Sequence, residues 1–110
     1  MKKLSWLAVF LLAVTVINYP NPFNPQGGET ATIEATSDAN LTTTLYIYDM
    51  AARVVQKQPF TLQAGATNRI AWDGFSLGND RVGNGIYLYR LVDSASKATL
   101  GKGKIWVINH

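Results

Sequence analysis

A cluster of three prolines, Pro20, Pro22 and Pro25, constrains the fold of this chain more than any other feature. Each proline fixes its own φ, removes a backbone donor and pushes the preceding residue towards extended geometry. The string Tyr19-Pro-Asn-Pro-Phe-Asn-Pro25 therefore predicts a stiff, extended segment rather than a helix. We expect Phe23 to anchor this proline segment, residues 18–25, on the rest of the chain.

Short stretches in which apolar and polar residues alternate follow the prolines. They cover residues 30–36, 41–49, 54–58, 68–73, 86–92 and 102–108, and turn residues separate them. About seven short strands with regular turn signals are typical of an all-β, antiparallel, Ig-like β-sandwich. The alternation predicts a core built from Ile33, Leu45, Ile47, Val54, Ile70, Trp72, Tyr87, Tyr89 and Leu91.

Composition narrows the possible functions. A chain of 110 residues fits one domain, and the absence of cysteine excludes disulfides and cysteine-based metal sites. The formal charge is +3, but without Lys2 and Lys3 the balance is eight basic against seven acidic residues, or +1. The remaining charges are interspersed, so the sequence predicts no nucleic-acid partner.

The first 17 residues form an apolar segment with a basic start, as in the first two regions of a secretory signal. The pattern lacks an A-x-A cleavage site, and Ala13-Val-Thr15 is a poor substitute. Three interpretations stay open: a cleaved signal, an uncleaved membrane anchor, or a first strand over residues 13–17. We expect a signal-like segment over residues 1–17, a sandwich over 18–110, and an exported chain that starts between Val16 and Tyr19.

The order of motifs resembles the C-terminal sorting domains of type IX secretion and the related Ig-like domain of the flagellar hook-cap protein. The resemblance is carried by the proline segment, Leu45-Tyr-Ile-Tyr-Asp49, Trp72-Asp-Gly74, Gly85-Ile-Tyr-Leu-Tyr89 and Gly101-Lys-Gly-Lys-Ile105. One departure is Ala52, which stands where the family usually has glycine. Glycine there serves a turn with φ > 0, so alanine must be strained or use another turn.

The resemblance implies a non-catalytic, exported interaction module whose partners are proteins of the secretion machinery, at the bacterial surface or outside the cell. The residues that it implies for interaction are Gly85, Tyr87, Tyr89, Gly101, Lys102, Lys104, Trp106 and Ile108, with Tyr19, Pro20, Asn21, Pro22 and Phe23 as the opening motif. The alternative is a self-assembling extracellular subunit that joins its neighbours by strand addition through the apolar N-terminal arm. In either case the chain would touch a membrane only through residues 1–17, if this segment stays uncleaved.

The sequence offers little chemistry for an enzyme. His110 is the only histidine and the last residue, and a frayed terminus does not orient an imidazole for catalysis. Asp73, Asn79, Asp80 and Asn84 could offer oxygens to Ca²⁺, but they lack EF-hand spacing and are common turn residues. We therefore predict no catalytic residue, no cofactor and no metal.

Overall fold

A computed structural model describes residues 13–110 as two antiparallel sheets. The strands are β1 (Val14–Tyr19), β2 (Ala31–Ser37), β3 (Leu41–Tyr48), β4 (Val54–Leu62), β5 (Thr67–Trp72), β6 (Gly85–Asp93) and β7 (Thr99–Val107). One sheet has the order β1-β2-β5 and the other β4-β3-β6-β7. The predicted all-β sandwich is confirmed. Within these residues, no helix is long and apolar enough to cross a membrane.

The core lies between the sheets and follows the alternation of the sequence. In β2, Ala31, Ile33 and Ala35 are fully buried, while Glu34 and Thr36 face outwards. Because successive side chains of a strand point to opposite faces, one apolar face per strand is enough to build this interior. The other large buried side chains are Phe23, Leu45, Ile47, Phe60, Leu62, Trp72, Tyr87, Tyr89, Leu91, Ile105 and Val107.

One predicted core residue is wrong. Val54 is 43% exposed, whereas its neighbour Val55 packs against the core. The cause is a bulge: Ile47 pairs with Gln56, but Tyr48 pairs with Val54. An extra residue in one strand shifts the register by one and turns the following side chains to the other face. Ile70, also predicted in the core, is partly buried against it.

The first strand includes residues before Asn18. Val14 to Ile17 belong to β1 and pair with β2. Val14 and Val16 are half-buried against the core, because a strand of alternating residues can cover the open edge of the sheet. The interpretation of residues 13–17 as a first strand therefore fits the structure, while residues 1–12 lie outside the described range.

The proline segment leaves β1 and runs to the outer edge of β7. Phe23 forms a parallel bridge with Val107, donating its N–H to the Trp106 carbonyl at 2.9 Å and accepting from the Ile108 N–H at 3.0 Å. Its ring is 1% exposed and lies 5.6 Å, centroid to centroid, from the ring of Trp72. Phe23 thus anchors the segment, as predicted, and joins the start of the domain to its end.

Candidate interaction surface

The residues proposed for interaction in β6 and β7 lie on two different faces. Tyr87 and Tyr89 point inwards, and their exposed fractions are 8% and 1%. Burial raises the pKa of both phenols, and the Tyr87 hydroxyl donates to the Gly83 carbonyl at 2.8 Å. Their rings therefore pack in the core.

The glycines of Gly101-Lys-Gly-Lys-Ile105 also point inwards. A Cβ on Gly101 would meet Val16 Cγ2 at 2.5 Å, so this glycine allows β1 to pack closely against β7. Gly85, at the start of β6, has φ 145°, a conformation that favours glycine. These glycines position the strands, and they present no side chain to a ligand.

The lysines of the same string face outwards, with Trp106 beside them. Lys102, Lys104 and Trp106 are all exposed, the last by 48%. Ile108 follows the end of β7 and is half-buried. Of the interaction residues that the resemblance implies, the structure therefore brings Lys102, Lys104 and Trp106 together on one accessible face.

The opening motif lies against the edge of that face. The side chain of Asn21 accepts from the Trp106 N–H at 2.8 Å and donates to the Lys104 carbonyl at 3.3 Å. Pro20 and Pro22 are exposed, and both are preceded by cis peptide bonds. Tyr19 instead lies on the other sheet, where its hydroxyl donates to Glu34 at 2.8 Å. The motif thus covers part of the β7 edge.

Strand register assembles the outer face of the four-stranded sheet into rows that the sequence does not reveal. One row crosses all four strands and contains Lys57, Tyr46, Arg90 and Lys102. The next row contains Val54, Tyr48, Leu88 and Lys104, and a third contains Ile86 and Trp106. We call this set of outward-facing side chains the cationic face.

Aromatic and aliphatic side chains lie between the cations. The rings of Tyr46 and Tyr48 stack with centroids 6.1 Å apart, and the Lys57 ammonium lies 5.9 Å from the Tyr46 centroid. A groove of about 620 Å³ lies beside them, between the β3–β4 turn and strands β6 and β7. Its lining includes Tyr48, Met50, Leu88, Arg90, Lys102 and Lys104.

The carboxylate of Asp49 borders the groove, and its hydrogen bonds are made to groups of the β3–β4 turn. Asp49 accepts from the backbone N–H groups of Ala51 and Arg53, both at 2.9 Å, and from the Arg53 guanidinium at 2.9 Å. These bonds, that from the Arg53 N–H foremost, hold the pKa of Asp49 below its usual range. Asp49 therefore stays ionised and committed to its own turn.

Several of the remaining candidate residues form hydrogen bonds within the fold. The Asp73 carboxylate accepts from the Phe75 N–H at 3.0 Å, and the side-chain oxygen of Asn84 accepts from the Asn109 backbone N–H at 2.7 Å. The backbone N–H of His110 donates to the side-chain oxygen of Asn24 at 3.1 Å. Among residues 13–110 no three His, Cys, Asp or Glu side chains form a group that could hold a metal ion.

Comparison with solved structures shows that the fold is similar to segments of larger proteins. Neither a protein-family model nor a curated protein matches the sequence. The chain is similar to part of PorU from Porphyromonas gingivalis, solved as a latent dimer, with 27% identity and a TM-score of 0.76. The match covers 94% of this chain and 10% of PorU.

Two further structures share the fold. PorZ, an essential surface component of the type IX secretion system of P. gingivalis, matches with 24% identity and a TM-score of 0.59 over 86% of this chain and 11% of PorZ. FlgD from P. aeruginosa matches with 16% identity and a TM-score of 0.61 over 86% of this chain and 70% of FlgD. The chain thus spans about a tenth of PorU and of PorZ, and the likenesses support a relation to Ig-like modules of secretion-related proteins.

Proposed function

We propose that this chain is a non-catalytic interaction module of an exported bacterial protein, read as a sorting domain by a secretion machinery. The observation that carries the proposal is the likeness to PorU, which extends over 94% of the chain with a TM-score of 0.76. The ordered motifs support it, because the proline segment and the last strand, far apart in sequence, form one substructure through Asn21 and Phe23. The partners are proteins, and the location is the cell surface or the medium.

An export assay tests the proposal. Residues 13–110 are attached to the C-terminus of a reporter that is directed to the periplasm, in a bacterium with type IX secretion and in an isogenic strain without it. We expect the reporter at the surface or in the medium of the first strain alone. The same reporter without the sandwich is the control. Retention in the periplasm of both strains would contradict the sorting function.

The alternative function is a self-assembling extracellular subunit joined through the apolar N-terminal arm. The pairing of β1 weakens it, because Val14–Tyr19 pair with β2 of the same chain and are not free for a neighbour. A donated arm would have to come from residues before Val14. Sizing of the exported protein separates the two functions: a monomer supports the module, and a ladder or filament supports assembly.

A further inference from the structure

We propose that the cationic face binds an extended acidic segment of a partner protein and that an apolar side chain of this segment occupies the groove beside Leu88. The inference rests on the proposed function as an interaction module, and it names the face that is used and the chemistry of the partner. Both follow from how the fold places its charges.

Neither ion pair of the described residues involves the charges of this face. Within residues 13–110 the ion pairs are Arg53–Asp49 and Arg69–Glu34, and both lie outside the rows of the cationic face. Arg90 donates only to a neutral oxygen, Thr99 Oγ1, at 2.7 Å and 3.2 Å. Lys57, Arg90, Lys102 and Lys104 therefore present four exposed positive charges without a carboxylate of their own.

The strand register also places two like charges directly opposite each other. Arg90 and Lys102 are direct partners on the neighbouring strands β6 and β7. Like charges in directly opposed positions destabilise a sheet. A bound carboxylate between them would turn this repulsion into two attractive contacts, which is the electrostatic complementarity expected of an acidic partner. A second copy of the same face would instead bring cations against cations.

The groove favours a peptide over a uniform polyanion. Its lining includes Tyr48, Met50 and Leu88, and the exposed fractions of Met50 and Leu88 are 69% and 36%. Arg90, Lys102 and Lys104 line the same groove, so a segment that carries acidic and apolar side chains on one of its faces would satisfy both. In an extended strand every second side chain points to the same side, so acidic and apolar residues two positions apart would both face the groove. A polyanion has no apolar side chain to bury.

The test is a binding measurement with the full chain. The probe is a fluorescent peptide that repeats Asp-Ser-Leu-Ser, so that aspartate and leucine lie on the same face of the extended chain, and its binding is followed by anisotropy at low and high salt. We expect saturable binding that salt weakens, because exposed charge pairs are screened. Replacing both lysines, Lys102→Gln with Lys104→Gln, should weaken binding about tenfold, or about 1.4 kcal/mol, because two exposed charge pairs are lost. Leu88→Ser should weaken it as well.

Matched controls make the result specific. Lys97→Gln removes an exposed lysine from the β6–β7 turn, outside the cationic face, and should leave binding unchanged. Circular dichroism verifies that each variant is folded. Absence of binding, equal binding of a peptide with asparagine for aspartate, or equal effects of Lys97→Gln would overturn the proposal. Equally tight binding of polyaspartate would overturn it in favour of a polyanion surface. Export that persists without peptide binding would refute this inference alone and leave the sorting function intact.

Discussion

The ring of Tyr89 in β6 lies directly over Gly103, its cross-strand partner in β7. A methyl group on Gly103 would stand 2.6 Å from both Cε2 and the hydroxyl oxygen of Tyr89. Tyr89 is 1% exposed, so the ring has little room to move away. The alternation of glycine and lysine in the last strand therefore has two causes: the inward glycines admit Tyr89 and Val16, and the outward lysines build the cationic face.

Gly103→Ala should destabilise the domain by about 1–3 kcal/mol, the usual cost of overpacking a core. Urea denaturation measures the change in the free energy of unfolding. Gly83→Ala is the matched control, because a Cβ on Gly83 would meet nothing within 4 Å. The control should be neutral or slightly stabilising, since alanine restricts the unfolded chain. Equal stability of Gly103→Ala and the wild type would show that the Tyr89 ring can shift to make room for the methyl group.

Ala52→Gly should stabilise the domain by about 0.5–1 kcal/mol. Ala52 closes the β3–β4 turn with φ 64°. This backbone conformation costs a residue other than glycine about 1–2 kcal/mol. The larger conformational freedom of glycine in the unfolded chain offsets part of the gain. Thermal unfolding measures it, with Ala51→Gly as the control, which should destabilise because Ala51 lacks a positive φ. A lower melting temperature for Ala52→Gly would refute the strain.

The alternation of apolar and polar residues predicted a large part of the fold. Alternation identified the inward faces of β2, of β3 and of β6 as far as Leu91, because the two-residue period is unbroken in these stretches. It failed at Val54, where a bulge of one residue reverses the faces and leaves no mark in the local sequence. Alternation also did not decide whether residues 13–17 form a strand. An apolar strand that covers the edge of a sheet and the end of a secretory signal have the same composition.

Trp72→Ala should cost about 3–5 kcal/mol, as is typical of a buried tryptophan. The ring is 1% exposed, lies 5.6 Å and 5.7 Å from the centroids of Phe23 and Tyr87, and donates from Nε1 to the Phe75 carbonyl at 2.9 Å. Trp106→Ala, at a ring that is 48% exposed, should change stability by much less. Urea denaturation compares the two. Similar losses would mean that Trp72 is not the centre of the core.

Asp49 should make the stability of the domain depend on acid pH. Its pKa is lowered in the folded state, first by the bond from the Arg53 N–H, so the carboxylate stabilises the fold at pH values above its unfolded pKa of about 3.9. This contribution is lost as pH falls through the lower folded pKa. The difference in melting temperature between wild type and Asp49→Asn should therefore be largest near neutral pH and shrink below about pH 4. A difference that is independent of pH would contradict the role of the charge.

The sequence predicted only part of the candidate surface, because the pairing of strands brings distant residues together. Lys102, Lys104 and Trp106 follow from the motif of the last strand, but Lys57 and Arg90 are distant in sequence and carry no motif. They join the surface only because Tyr46 in β3 pairs with both. The exposed, outward positions of all four cations could have been found by alternation, whereas their placement in two neighbouring rows of one face required the pairing of four strands.

Asn21→Ala should loosen the attachment of the proline segment to β7. The Trp106 N–H would lose its acceptor, Asn21 Oδ1 at 2.8 Å, whereas the Lys104 carbonyl would keep the bond from Asn18 at 2.9 Å. We expect a loss of about 1 kcal/mol in the free energy of unfolding, the usual contribution of one hydrogen bond. Hydrogen exchange at the Trp106 amide should accelerate, because this amide lies at an edge that the segment covers. Asn18→Ala is the control, since it removes a bond to β7 without touching that amide. Unchanged exchange at Trp106 in Asn21→Ala would show that the other bonds of the segment are enough to hold it in place.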